Sequence, residues 1–148
     1  LHEPETHLIP LALSAAAGTG PELKVFGTDY PTPDGTCIRD YTHVSDLAEA
    51  HVQALEHLQA GKESLVANLG TGRGYSVREV IAMVEEVTGN PVPVHLAPRR
   101  RGDPPSLVAD PRRAESLLQW SAKRSLREIV STAWNWMKQR RQTAVAVL

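Results

Sequence analysis

Three guanidinium groups stand together at Arg99-Arg100-Arg101, followed by Gly102 and Asp103, in a loop rich in proline and glycine. Arginine is a planar, permanently charged fork that matches phosphate oxygens. Each such bond, shielded from water, contributes about 1.5–3 kcal/mol. A carboxylate behind the cluster can accept bonds from the vicinal hydroxyls of a sugar, so the loop has the parts for a sugar phosphate. A solvated basic loop is the plainer alternative. Arg39-Asp40-Tyr41 is a second candidate, in which Arg39 either clamps an anion or forms a structural ion pair with Asp40 or Asp46. The third is Gly70-Thr71-Gly72-Arg73-Gly74, set where glycine-rich phosphate cradles occur, between a strand and a helix. It lacks the third Rossmann glycine, and no acidic residue ends a strand about 20 positions on. It therefore reads as a tight turn feeding a helix, not as a cofactor loop.

Other chemistries find no support. His51 and His57 are six apart, which is not metal spacing on a helix, and no His-Glu-x-x-His occurs. No metal site is expected. His43 precedes a helix and reads as a packing residue, and Trp120, Trp134 and Trp136 as core and helix packing. The single cysteine, Cys37, rules out an internal disulfide. No Ser or Cys lies in a nucleophile elbow. Aromatics make up only 5% of the chain and no recognition-helix pattern appears, which argues against nucleic acid. No run is apolar enough to span a membrane, and no signal segment opens the sequence, so a cytoplasmic location is expected. Charge is unevenly spread: residues 1–98 hold thirteen acids and five bases, and residues 99–148 four acids and eleven bases. The basic final third suits an anionic ligand.

The elements that must position these residues alternate. His7–Ala17 is Ala-rich and predicts a helix starting near Leu8 or Ile9, ended by Gly18 and Gly20-Pro21. Leu23–Phe26 predicts a strand and residues 27–37 a loop. A helix is expected over Ser45–Leu58, capped by Ser45 or Asp46 with Glu49, with Leu47, Ala50, Ala54, Leu55 and Leu58 on one face. Leu65–Leu69 predicts a short buried strand. Ser76 and Glu79 form a capping box for a helix with the stripe Val77, Val80, Ile81, Val84 and Val87, closed by Gly89. A strand at Val92–Ala97, a short helix after Asp110-Pro111 through Leu118, and a helix opened by Ser125 and Glu128 complete a mixed α/β order. Residues 142–148 offer no anchor and predict a flexible tail, leaving 1–141 as the folded unit.

Read in order, HEPETHLIP, KVFGTDYPTPDGTCIRDYTHVSDLAEAH, NLGTGRGYSVREVI and PRRRGDPPSLVAD closely resemble the C-terminal part of bacterial UDP-glucose 4-epimerases. These are extended short-chain dehydrogenase-type enzymes. The resemblance runs over about residues 2–138, and Phe26–Val44 is its most particular stretch. It implies the mixed, substrate-binding C-terminal part of a Rossmann-type enzyme. In the family the Rossmann half holds NAD and a Tyr-x-x-x-Lys pair, and the C-terminal part grips the UDP of UDP-glucose or UDP-galactose. The tyrosine takes the 4-hydroxyl proton while hydride passes to NAD, and the 4-keto sugar turns before hydride returns.

Carried over residue by residue, the resemblance assigns Arg39 and Arg100 to the pyrophosphate and Asp103 to the uridine ribose. Val25 and Phe26, with Lys24, match the strand that meets the uracil, and Leu8 the start of a helix touching the nucleotide. The position before it is often Asn in the family and is His7 here. Leu107 matches a position whose bulk influences whether N-acetylated sugars fit. Arg99 and Arg101 keep the plainer reading of solvated or packing residues.

The residues four before Lys24, Lys62, Lys123 and Lys138 are Gly20, Leu58, Gln119 and Trp134, so no Tyr-x-x-x-Lys occurs. Nor does a G-x-x-G-x-x-G. With Leu1 as first residue, the reading is of a piece of a longer enzyme whose Rossmann half is missing. No catalytic residue and no NAD site are expected in this chain, and alone it should be inactive. Apolar faces of the 8–17 and 45–58 helices are expected to await that half as a partner. The alternatives are the same part of a related NAD-dependent sugar-nucleotide epimerase or dehydratase, and a non-enzymatic UDP-binding module or remnant.

Overall fold

The computed structural model describes residues 4–145, with side chains through residue 140. Five helices and five short strands follow the expected mixed α/β order. The largest core is helical. In α1 (Leu8–Ala16), Ile9, Ala12, Leu13, Ala15 and Ala16 are buried against α3 (Val77–Thr88) and α5 (Leu126–Val145). Small alanine faces let the backbones approach closely, while Val80, Val84 and Val130 are fully enclosed between them. Most of the α1 face that was expected to await a partner is thus buried on α3 and α5, while Leu8 and Leu11 are only partly covered.

Local chemistry sets the helix ends. Ser76 Oγ accepts from the Glu79 amide while the Glu79 carboxylate accepts from the Ser76 amide, and Gly89 closes α3 in the left-handed region at φ 72°. Ser125 and Glu128 reciprocate in the same way before α5. The expected cap of α2 (Val44–Gln59) is different. His43, not Ser45 or Asp46, is the cap residue, its Nδ1 accepting from the Ser45 amide at 3.0 Å. Nδ1 must then be unprotonated, so the neutral ring carries its proton on Nε2, which donates to Thr132 Oγ1 on α5 at 2.9 Å. Asp46 instead is wholly buried, its carboxylate accepting from Arg124 and from the amides of Lys123 and Arg124.

Two small sheets lie beside the helices. β1 (Leu23–Phe26) pairs in parallel with β4 (Val94–Ala97), Leu23 opposite Val94. β2 (Ile38–Asp40) is central in a second sheet. It runs antiparallel to β3 (Gly74–Ser76), with Arg39 opposite Tyr75, and parallel to β5 (Ser106–Leu107), with Arg39 opposite Leu107. A smaller cluster joins α2 to α4 (Arg112–Leu118) through Ala50, Ala114, Leu118 and Trp120, whose indole N–H donates to the Asp46 carbonyl at 2.8 Å.

Three expectations need correction. Leu65–Leu69 joins neither sheet: it packs Leu65, Ala67 and Leu69 on the smaller cluster and leaves Val66 82% exposed. Its alternation is that of a strand, but no neighbouring strand supplies a ladder. Trp136 is exposed, with the Arg140 guanidinium 4.9 Å from its ring centroid, whereas Trp120 is core and Trp134 borders it. Residues 142–145 of the expected flexible tail continue α5 as helix, and residues 146–148 lie outside the described residues.

Candidate functional site

An open cleft of about 170 Å³ lies where β1, β2, the start of α1 and the arginine loop converge. Its walls include Leu8, Lys24, Val25, Phe26, Arg39, Arg100 and Asp103, all seven of the ligand-contact candidates named from sequence. Four separated stretches of chain supply them. Leu107 does not line the cleft. It is 62% exposed on β5 and flanks it only through its register with Arg39.

Arg39 is fixed from three sides. Nη1 donates to the carbonyls of Ile38 at 2.7 Å and Pro104 at 3.0 Å, and Nη2 to Asp103 Oδ1 at 3.2 Å. The pair is partly sheltered, the two side chains being 23% and 33% exposed. The partner anticipated for Arg39 was Asp40 or Asp46, and neither serves. Asp46 faces Arg124, and Asp40 turns to the other side of β2, as alternation along a strand requires. There its carboxylate accepts from the amides of Thr71 at 3.0 Å and Gly72 at 3.2 Å, from Thr71 Oγ1 at 2.6 Å, and from Ala109 at 3.4 Å.

That arrangement settles what the glycine-rich loop does. Its amides are spent on an internal carboxylate. Gly70 is required by the contact, since a Cβ there would stand 2.6 Å from Asp40 Oδ2 and 2.5 Å from the Ala109 Cβ. The loop is a brace for β2, and with its Thr71 and Gly72 amides taken by Asp40 it does not fit a cofactor's phosphates.

Within the arginine loop the three guanidiniums have different fates. Arg100 lies over the Phe26 ring, 3.8 Å from its centroid, on the cleft wall. Arg99 packs instead, covering Tyr30 at 4.3 Å and donating to Asp29 Oδ1 at 2.7 Å and to the Asp29 carbonyl. Its hydrogen bond to Asp29 holds that carboxyl below its ordinary range. Gly27, at φ 82°, makes this packing possible, because a Cβ would meet the Tyr30 ring at 2.4 Å. Arg101 is exposed. Among the described residues, no cluster of His, Cys, Asp and Glu could hold a metal ion.

The cleft also takes Thr6, Leu11, Leu23, Cys37, Tyr41 and Val77, none of which the sequence reading assigned to a ligand. Two of them carried a signal. Leu11 falls three residues after Leu8 on one helix face, and Tyr41 two residues after Arg39 along an extended chain. Burial pushes the Tyr41 phenol up to about 12 despite the nearby Arg39 cation. It lines the cleft as a neutral phenol. His7 sits between two lining residues, and its ring meets Glu5 Oε1 at 2.7 Å.

The profile of the NAD dependent epimerase/dehydratase family matches residues 2–70. UDP-glucose 4-epimerase of Halalkalibacterium halodurans is 51% identical over 139 residues, and that of Azospirillum brasilense 55% over 139. Over this stretch the chain is similar to the UDP-glucose 4-epimerases. Each alignment takes in 93% of this chain but only 42% and 40% of those proteins, so the chain spans about two fifths of its relatives' length. Solved structures agree. The Brucella ovis UDP-glucose 4-epimerase in complex with NAD superposes with a TM-score of 0.88 at 53% identity, over 91% of this chain and 42% of that one. The Bifidobacterium longum enzyme in complex with NAD+ and UDP gives 0.85 at 43%, over 91% and 40%. These matches carry the fold class expected from sequence, the C-terminal part of an extended short-chain dehydrogenase.

Proposed function

We propose that this chain is the nucleotide-gripping C-terminal part of a UDP-glucose 4-epimerase, and that its cleft takes the UDP of UDP-glucose and UDP-galactose. The observation that supports this most is convergence. Two arginines, a carboxylate and an apolar strand, drawn from three separated segments between Leu23 and Asp103, face one cleft. Arg100 and Arg39 take the pyrophosphate, Asp103 the ribose hydroxyls, and the Lys24–Phe26 strand the uracil, with Leu8 and the neutral Tyr41 beside them. Leu107, outside the cleft but opposite Arg39 on β5, is the residue proposed to meet the sugar end.

Hydride chemistry belongs to the rest of the intact enzyme, which would hold NAD, the cofactor in the solved relatives. The apolar face of α2 supports such a neighbour. Val52, Leu55 and Leu58 are each at least half exposed, beside the unpaired Leu65–Leu69 segment. Among the described residues no helix is long and apolar enough to cross a membrane.

Calorimetric titration of the purified chain with UDP tests the proposal, with Arg100→Ala as control. Saturable binding that the substitution weakens at least about tenfold, as loss of one charge-assisted contact demands, is the expected result. No binding by a chain shown to be folded would overturn it. Preference for a dTDP-sugar over a UDP-sugar would point instead to a related sugar-nucleotide enzyme.

A further inference from the structure

Two of the cleft's recognition groups are bonded to each other. Asp103, the group for a sugar's hydroxyls, gives Oδ1 to Arg39, a group for phosphate, at 3.2 Å. Arg39 spends its remaining contacts on the Ile38 and Pro104 carbonyls, so among the described residues the Asp103 carboxylate is the only one of its partners that carries charge. Arg100 differs, since its guanidinium rests on an aromatic face.

We propose that Asp103 is a selectivity residue that acts through Arg39, discriminating against anions that carry no sugar hydroxyls. The inference rests on the UDP reading of the cleft. An anion arriving at Arg39 must draw the guanidinium from Asp103, and the carboxylate is then left half-buried with lost hydrogen bonding. A nucleoside diphosphate brings ribose hydroxyls that donate to the vacated oxygen and offset the loss. Inorganic pyrophosphate or phosphate brings none. Negative charge is thereby selected only when a sugar accompanies it, which suits a site working among abundant phosphate.

The test is titration of the 148-residue chain and its variants with UDP and with inorganic pyrophosphate. Asp103→Asn should weaken UDP and strengthen pyrophosphate, each by about fivefold, the equilibrium worth of a partly exposed ion pair. Removing any carboxylate near an anion site favours anions through space, so the cycle with Arg39→Gln decides. In the Arg39→Gln background, Asp103→Asn should leave pyrophosphate affinity unchanged if the effect runs through Arg39. Asp29→Asn, which frees Arg99 instead, should leave both ligands within about twofold. Circular dichroism confirms that each variant is folded. If the wild type binds UDP but Asp103→Asn binds pyrophosphate no better, or gains equally without Arg39, the inference is overturned and the UDP reading stands. If the folded wild type does not bind UDP, both fall.

Discussion

Asp40 offers the sharpest check on how the site is braced. Its carboxylate collects the Thr71 hydroxyl at 2.6 Å, the Thr71 and Gly72 amides at 3.0 and 3.2 Å, and a longer contact from Ala109 at 3.4 Å. Asp40→Ala strands three short-range donors in a half-buried place. One charge-assisted bond contributes about 1.5–3 kcal/mol and water repairs part of the loss, so the expected cost is about 3–4 kcal/mol. Asp40→Asn should be milder, at about 1–2 kcal/mol. Its carbonyl can take the Oδ2 position and keep the amides, while its NH2 donates to Thr71 Oγ1, whose own proton can turn to the Arg73 carbonyl 2.8 Å away. Urea unfolding followed by far-ultraviolet circular dichroism measures both, with an unchanged m-value certifying a native-state effect. Asp40→Ala within 1 kcal/mol of wild type, or Asp40→Asn as damaging as Asp40→Ala, would refute the brace.

Three further outcomes are expected. Burial alone would raise the Asp34 carboxyl, but hydrogen bonds from Ser76 and Thr36 outweigh it and hold the group below its ordinary value. A depressed folded pKa gives stability that is present above the unfolded value of about 3.9 and lost as pH falls through the folded one. The stability gap between wild type and Asp34→Asn should therefore shrink from pH 7 to pH 3 in urea titrations, and a gap independent of pH would count against it. Trp120→Phe gives up the bond to the Asp46 carbonyl and leaves a void in the smaller cluster, at a cost of about 2–4 kcal/mol by thermal or urea unfolding. The 148-residue chain given NAD and UDP-galactose should show no 4-epimerase turnover above background, since no Tyr-x-x-x-Lys occurs in it; measurable UDP-glucose formation would refute that.

How much was legible follows from how local each signal is. The capping boxes at Ser76 and Ser125, the Gly89 terminus and the Leu23–Phe26 strand are written in a few adjacent residues, and all form as read. Partner choice is not local. Arg39 has carboxylates at Asp40 and Asp46 nearby in sequence, yet takes Asp103 because β2 and β5 run side by side and strand alternation turns Asp40 away. Leu65–Leu69 has a strand's pattern, but a strand also requires a neighbour. Most of the apolar face of α1 lies on α3 and α5, and periodicity does not say which surface covers a face. The resemblance supplied what spacing could not, namely that Leu8, the β1 strand and the arginine loop belong to one site.

The two hydrophobic clusters divide the labour. The α1–α3–α5 core encloses its own apolar faces, and the cleft is built on its edge, from Leu8 and Leu11 of α1 and Val77 of α3 together with the two sheets. Beside the smaller cluster around Trp120 apolar surface also remains open, on α2 and at Val66, and none of the cluster's residues lines the cleft. That open face of α2 is thus separate from the surface that favours a nucleotide. The proposed function asks for a firm hold on UDP while the 4-keto sugar turns freely, which is easiest when the grip is set by elements that do not move with the chemistry. A cleft resting on a closed helical core, with Arg39 pinned to two carbonyls and Asp40 bracing the strand beneath it, suits that proposal. Loss of UDP binding should therefore track substitutions in the α1–α3–α5 core more closely than substitutions on the open face of α2.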